Sequence, residues 1–201
     1  GFIFGFLVHI LLASQLSPAE YGIYNFVFST SMICALIGNF GFQASSVRFI
    51  PQIISDEKSK NLKNFLRFTS IWIFSLSSLI SAAVYFILFK FGLMQEYPKE
   101  VLLIGIGLTP ILALVKLNSG ILKGFKKGSW ALAYESSLKE LIFFISLAFL
   151  VLLSFPYMDS KHSLLLVSLI FLVLLIGSFF HAAKLISSHM ATFQLLNSDK
   201  E

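Results

Sequence analysis

The sequence predicts an all-α integral membrane protein, a six-helix transmembrane bundle. Three observations carry this. Apolar residues make up 57% of the 201 and charged ones only 12%, against about 45–50% and about 25% in soluble domains. Mean hydropathy is +0.85. Uncharged tracts recur between short polar turns, and basic residues collect on alternate turns. The same composition excludes a soluble enzyme, a nucleic-acid-binding domain and a disordered chain. The lone Cys34 excludes a disulfide framework and a thiolate metal site.

About 30 Å of hydrocarbon needs roughly 20 apolar residues in a helix. Residues 1–13 read as the tail of a first span. The chain opens Gly1-Phe2-Ile3-Phe4, without Met or a basic stretch, so a signal peptide is not expected and the first helix is expected to be truncated here. Residues 21–47 hold a second span, with Pro18 in the turn before it and Pro51 stopping or kinking its end. Residues 68–89 form a third. Residues 101–115 begin a fourth, which continues past Lys116 to Leu122 and contains Pro110, where it should bend. Residues 129–157 hold a fifth, with charges in its first half, and residues 163–183 a sixth. The turns 14–20, 123–128 and 158–162 are short, which makes neighbouring helices antiparallel. Residues 1–186 are thus expected to form one lobe, and 187–201 a cytoplasmic tail or linker.

The basic residues orient the bundle. Arg48, Lys58, Lys60, Lys63, Arg67, Lys116, Lys123, Lys126, Lys127, Lys184 and Lys200 follow the even spans, whereas only Lys90, Lys99 and Lys161 follow the odd ones. Lys and Arg accumulate on the cytoplasmic side. Both ends of the segment are therefore expected in the cytoplasm, in a multi-pass protein of the cytoplasmic membrane. The basic 58–67 loop would lie beside anionic lipid.

At 100° per residue, polar residues form stripes. Asn25, Ser29, Asn39, Gln43 and Ser46 share a face of the second helix. Ser70, Ser77, Ser81 and Tyr85 share one on the third. Thr109, Lys116, Ser119 and Lys123 share one on the fourth, and Glu135, Lys139 and Ser146 one on the fifth. Hydroxyl and amide side chains commonly join membrane helices, and the serine face reads that way. The charged faces read as the lining of a wet cavity, since an intramembrane charge is costly and seldom faces lipid.

Lys116 follows a tract of about 22 Å, too short to cross alone. It lies in the inner leaflet or snorkels to the interface. If the fifth helix begins at Ser129, Lys139 lies about 15 Å deep; if residues 141–158 span alone, Lys139 is at the surface. Glu135 and Lys139 have the i,i+4 order of an ion pair. His9, His162, His181 and His189 lack metal-ligand spacing. No phosphate-cradling glycine loop occurs, so neither an enzyme nor a bound metal or cofactor is expected.

Three blocks resemble a known family. Leu16-Ser17-Pro18-Ala19-Glu20-Tyr21-Gly22, following an apolar run, is similar to the first outer turn of the polysaccharide-biosynthesis oligosaccharide flippases, Wzx-type members of the MOP exporter superfamily. Gly38-Asn39-Phe40-Gly41-Phe42 with Arg48-Phe49-Ile50-Pro51 resembles the family's inner end of helix two. Gly120-Ile121-Leu122-Lys123-Gly124 resembles its close of helix four. Ser14-Gln15 departs from the family, which often has Arg before the turn. The resemblance implies the N-terminal lobe of a MATE/MOP-like transporter and a second lobe of six to eight helices, in the same full-length chain. It implies a polyprenyl-pyrophosphate-linked oligosaccharide as substrate, for O-antigen, capsule or exopolysaccharide.

Arg48, Lys116 and Lys139 are then the expected substrate-binding residues, with lipid and the lipid-linked glycan as partners and no nucleic acid. An ion-coupled drug or solute antiporter of the same superfamily would want an acidic residue deep in helix one or two, where only Glu20, in a turn, occurs. A membrane enzyme of glycan assembly would want a larger outer loop than residues 90–100. A structural subunit is the fourth possibility.

Overall fold

The computed structural model describes residues 2–55, 59–92, 97–152 and 159–198, and these form helices joined by short turns, with no strand among them. In order they are α1 (Phe2–Gln15), α2 (Pro18–Asn39), α3 (Phe42–Ser55), α4 (Ser59–Lys90), α5 (Lys99–Gly124) and α6 (Gly128–Leu132). A π-helical turn (Ala133–Ser137) then leads into α7 (Leu138–Leu152), and α8 runs over Ser160–Ser198. Four stretches are long and apolar enough to cross a membrane: Pro18–Asn39, Asn64–Lys90, Lys99–Gly124 and Ser160–Ser188. Ile3–Gln15 is apolar but shorter. Large apolar side chains such as Phe6, Leu79, Phe86, Leu169 and Phe180 are exposed around the bundle, as suits a surface solvated by lipid rather than water.

Helix α5 is the central post. It packs against α2, α3, α4 and α8, and its buried residues run from Val101 to Gly124. Cross-helix pairs give the register. Ser31 and Asn39 of α2 meet Gly105 and Ala113 of α5, so these helices run parallel. Ser81 of α4 meets Thr109, while the Tyr85 ring adjoins Gly105, so α4 runs antiparallel. Asn118 meets Ser178 of α8 and Glu100 pairs with Lys161, so α8 also runs parallel. After the short turn at 125–127 the chain folds back so that Glu135 meets Lys123 and Ser119, and the α6–α7 rod runs antiparallel to α5. This alternation carries Arg48, Arg67, Lys123, Lys126, Lys127 and Lys184 to one end of the bundle, the basic end. Lys90, Lys99 and Lys161 lie at the other, the far end.

Small residues permit these approaches. A Cβ on Gly38 would lie 2.7 Å from Cα of Ser77, and one on Gly120 would lie 2.5 Å from the Gln43 carbonyl oxygen. The α4 stripe is helix packing: Tyr85 Oη lies 3.0 Å from Ser31 Oγ and donates to Val27 O at 3.1 Å, and Ser81 Oγ is 3.1 Å from Thr109 Oγ1. Pro110 leaves the Ile106 carbonyl without its helical N–H, and Ser81 Oγ approaches that oxygen at 3.5 Å.

Several expectations are corrected. The second helix does not run unbroken through residue 47. Phe40 and Gly41 adopt positive φ, 45° and 79°, and separate α2 from α3. Pro51, expected to end that helix, lies inside α3. The expected basic loop is helical from Ser59 onward, and Lys58 lies outside the described residues. Of the two starts left open for the fifth helix the earlier one holds: it begins at Gly128, one residue before Ser129, which puts Lys139 about 16 Å along it; residues 153–158, its expected end, lie outside the described residues. Helix α8 runs through residue 187 to Ser198, and residues 199–201, with Lys200, lie outside the described residues.

Candidate functional site

Two charged clusters lie inside the bundle, one above the other. The first is at mid-depth. Lys116 on α5 is eight residues, about 12 Å, from the basic end at Gly124. Lys139 on antiparallel α7 lies four residues beyond Glu135, and Lys116 three residues before Glu135's partner Ser119, so the two lysines sit at a similar depth. Lys139 Nζ is 3.9 Å from Glu140 Oε1 and 5.8 Å from the centroid of the Phe171 ring on α8. Both Lys139 and Glu140 are largely covered. A cavity of about 60 Å³ opens beside them between α1, α2, α7 and α8, lined by Gly5, His9, Tyr24 and Phe28 among others. It can hold ordered water. Glu140 Oε2 is buried without a hydrogen-bond partner, and a Cβ on Gly5 of α1 would come within 3.1–3.2 Å of that carboxylate. Glycine there lets α1 lie against the acid. Toward the far end, His9 Nδ1 meets Tyr21 Oη at 3.0 Å.

The second cluster is nearer the basic end and centres on Glu135. Ser119 Oγ donates to Glu135 Oε2 at 2.7 Å, Lys123 Nζ to the same oxygen at 3.0 Å, and Gln43 Nε2 to Oε1 at 3.3 Å. One carboxylate thus joins α3, α5 and the π turn. The expected Glu135–Lys139 pair is not formed; Glu135 pairs with Lys123 and Lys139 with Glu140. The physical reason is the π turn over Ala133–Ser137. A π turn inserts one residue into the helical ladder and offsets the two flanking stretches by about 100°. Glu135 consequently faces α5 while Lys139 and Glu140 face the α1–α8 cavity.

Arg48 stands apart from both clusters. It is exposed on α3. Its level matches Gly124, because Ser46 and Ile50 on either side of it both touch that glycine. Among the described residues it has no hydrogen bond or ion pair. The structure therefore sets Lys116 and Lys139 at a similar depth and places Arg48 about 12 Å nearer the basic end. No group of three His, Cys, Asp or Glu that could hold a metal occurs among the described residues.

The model for polysaccharide biosynthesis proteins matches residues 1–198. The chain belongs to that family. It is the family of the Wzx-type flippases in the MOP superfamily. No curated protein and no solved structure matches the chain significantly.

The motif blocks of this polysaccharide biosynthesis protein acquire physical roles in the fold. Ser17 caps α2, accepting from Glu20 N at 3.3 Å, and Pro18 occupies the first helical position. Glu20 does not fold back to complete a capping box. Its carboxylate accepts from Ser160 N at 2.8 Å and so ties the far end of α2 to the first turn of α8. Asn39 bridges the α2–α3 break: its Oδ1 accepts from Gln43 N at 2.9 Å and its Nδ2 donates to Ala113 O at 3.1 Å. Gly120 and Gly124 let α3 lie directly on α5. The Gln43–Ser119–Lys123–Glu135 cluster escapes sequence reasoning because its four members fall on three different stripes. Each stripe is visible in the sequence, but not which stripes face one another.

Proposed function

We propose that this chain is the N-terminal lobe of a transporter that carries polyprenyl-pyrophosphate-linked oligosaccharide across the cytoplasmic membrane. The observation that carries the reading is the pair Lys116 and Lys139 inside an apolar bundle, with Glu140 as their nearby acid. A surplus positive charge at that depth is costly and calls for an anionic partner, and a pyrophosphate is one. On this reading the lobe has six spans over residues 1–186, with α1 as the first and the α6–α7 rod as the fifth. The basic end and both chain ends face the cytoplasm, and 187–201 leads toward a second lobe of six to eight helices in the full-length chain.

The cavity beside Lys139 is about 60 Å³, against about 300–1,000 Å³ for ordinary ligand pockets. The glycan therefore travels outside this lobe, in the space between lobes, while the lysines reach its phosphates. Arg48, exposed at the basic end, meets the headgroup first, and its planar guanidinium can hold a phosphate through two parallel hydrogen bonds. The antiporter reading loses support because Glu20, the sole acid of the first two helices, is engaged at the end of α8. No catalytic group or cofactor takes part.

The test is export of the lipid-linked glycan in vivo by the full-length protein, with membrane levels checked. Arg48→Glu and Lys116→Glu should each abolish export, and Arg48→Lys should impair it more than Lys116→Arg. Normal export by both Glu variants at normal level would make these residues interfacial anchors and end the proposal.

A further inference from the structure

The Glu135 cluster has the chemistry of an anion site whose anion is part of the protein. Gln43 Nε2, Ser119 Oγ and Lys123 Nζ arrive from α3 and α5 and converge on the two oxygens of one carboxylate. An amide, a hydroxyl and an ammonium aimed at paired oxygens are also a donor set for a phosphoryl group. The site is reachable, since the Lys123 and Glu135 side chains keep 31% and 27% of their surface exposed. It lies on the route inward, near the level of Arg48 and between it and Lys116.

Glu135 sits on the one segment of this rod that is not α-helical. Moving the extra residue of a π turn along the helix turns the side chains it passes by about 100°. That is enough to withdraw Glu135 from α5 without unfolding α6 or α7.

We propose that Gln43, Ser119 and Lys123 form a cradle for the diphosphate of the prenyl-linked substrate, and that Glu135 occupies it when substrate is absent. The inference rests on the transport function proposed above. The exchange of one anion for another never leaves Lys123 unpaired inside the bundle, which would be costly. It also supplies release: when Glu135 returns, it displaces the phosphate. Each binding event is weakened by the carboxylate it must expel, as transport requires.

The experiment measures binding of farnesyl pyrophosphate, with farnesol as the uncharged control, to the full-length protein in nanodiscs. Glu135→Gln removes the competing charge and keeps the side-chain size. It should tighten farnesyl pyrophosphate binding about tenfold, or 1.4 kcal/mol, with no change for farnesol. Adding Lys123→Gln to that variant should abolish the gain. Glu135→Asp keeps the charge on a shorter arm and should tighten binding by less, which provides a second reading if Glu135→Gln folds poorly. If the wild type binds farnesyl pyrophosphate through Lys116 and Lys139 and neither Glu135 variant changes affinity, the cluster is a structural tie: the cradle is wrong and the transport reading survives. If no variant prefers farnesyl pyrophosphate over farnesol, both fail.

Discussion

Gly120→Ala tests the closest backbone approach around the central helix. The added Cβ would lie 2.5 Å from the Gln43 carbonyl oxygen and 3.0 Å from its Cα. Ordinary contact begins at 3.4 Å, so α3 must retreat from α5 by about 0.9 Å. A gap of 0.5–1 Å forfeits about a quarter to a half of the dispersion energy of the atoms left behind. Overpacking of this kind costs about 1–3 kcal/mol. The control is Gly107→Ala on the same helix, exposed and with nothing within 4 Å of the new methyl. There alanine should gain up to about 1 kcal/mol of helix propensity. Alanine brings the same propensity gain at Gly120, so the two variants should differ by the overpacking cost, about 1–3 kcal/mol. At about 2–4 °C per kcal/mol for a chain of this size, the melting midpoint of detergent-purified Gly120→Ala should lie at least about 2 °C below that of Gly107→Ala. Coincident midpoints would mean that α3 does not rest on Gly120 and would remove the packing argument for the α2–α3 break.

Three other outcomes are expected. Tyr85→Phe removes the hydroxyl shared by Ser31 and Val27 O and should lower stability by about 0.6–1.7 kcal/mol, the range of polar helix–helix contacts in membranes; an unchanged thermal midpoint would show that this hydroxyl is not holding α2 to α4. In a Cys34→Ala background, Ser17→Cys should react with an impermeant thiol reagent added outside intact cells and Lys126→Cys should not; labelling of residue 126 would reverse the orientation. Asp159 precedes α8, and although burial pushes its carboxyl up, hydrogen bonds from the His162 backbone N–H and ring, with the ring's charge, hold it below its ordinary 3.8. A lowered carboxylate contributes stability above that value and loses it as pH falls through the lowered one. The stability advantage of wild type over Asp159→Asn should therefore shrink as pH falls below the ordinary carboxylate value of 3.8, and parallel pH profiles of the two proteins would contradict the cap.

The fold was legible where local physics decides it. Apolar length marks the four long helices. The α2–α3 break was not legible, because residues 21–47 are uncharged throughout and the expectation followed apolar length alone. The Phe40–Gly41 step is set by tertiary contact: Asn39 must point one end of its amide at Ala113 O and the other at Gln43 N. A Gly-Asn-Phe-Gly sequence inside an apolar tract carries that information only when the neighbouring helix is known. The length of α4 was missed for a different reason. Residues 59–67 carry Lys60, Lys63 and Arg67, and charge ends a membrane span without ending a helix.

The site was half legible for one physical reason. A charge inside a membrane bundle needs a partner, so Lys116, Lys139 and Glu135 could be singled out from sequence. Local spacing then suggested Glu135 for Lys139, because i,i+4 neighbours meet on a regular α-helix. That inference holds only while the helix is regular. The π turn rotates Glu135 toward Lys123 and hands Lys139 to its neighbour Glu140, at the long distance of 3.9 Å. The consequence is an uneven division of charge. The cluster near the basic end has its ammonium and carboxylate matched, whereas the cluster at mid-depth sets two lysines against one acid, whose second oxygen is itself without a partner. The deeper cluster is therefore the less satisfied of the two, and an incoming anion has more to gain there than at the mouth. On the transport reading proposed above, a gradient of that sense would draw a phosphate headgroup inward from Arg48, by way of the Glu135 cluster, toward Lys116 and Lys139.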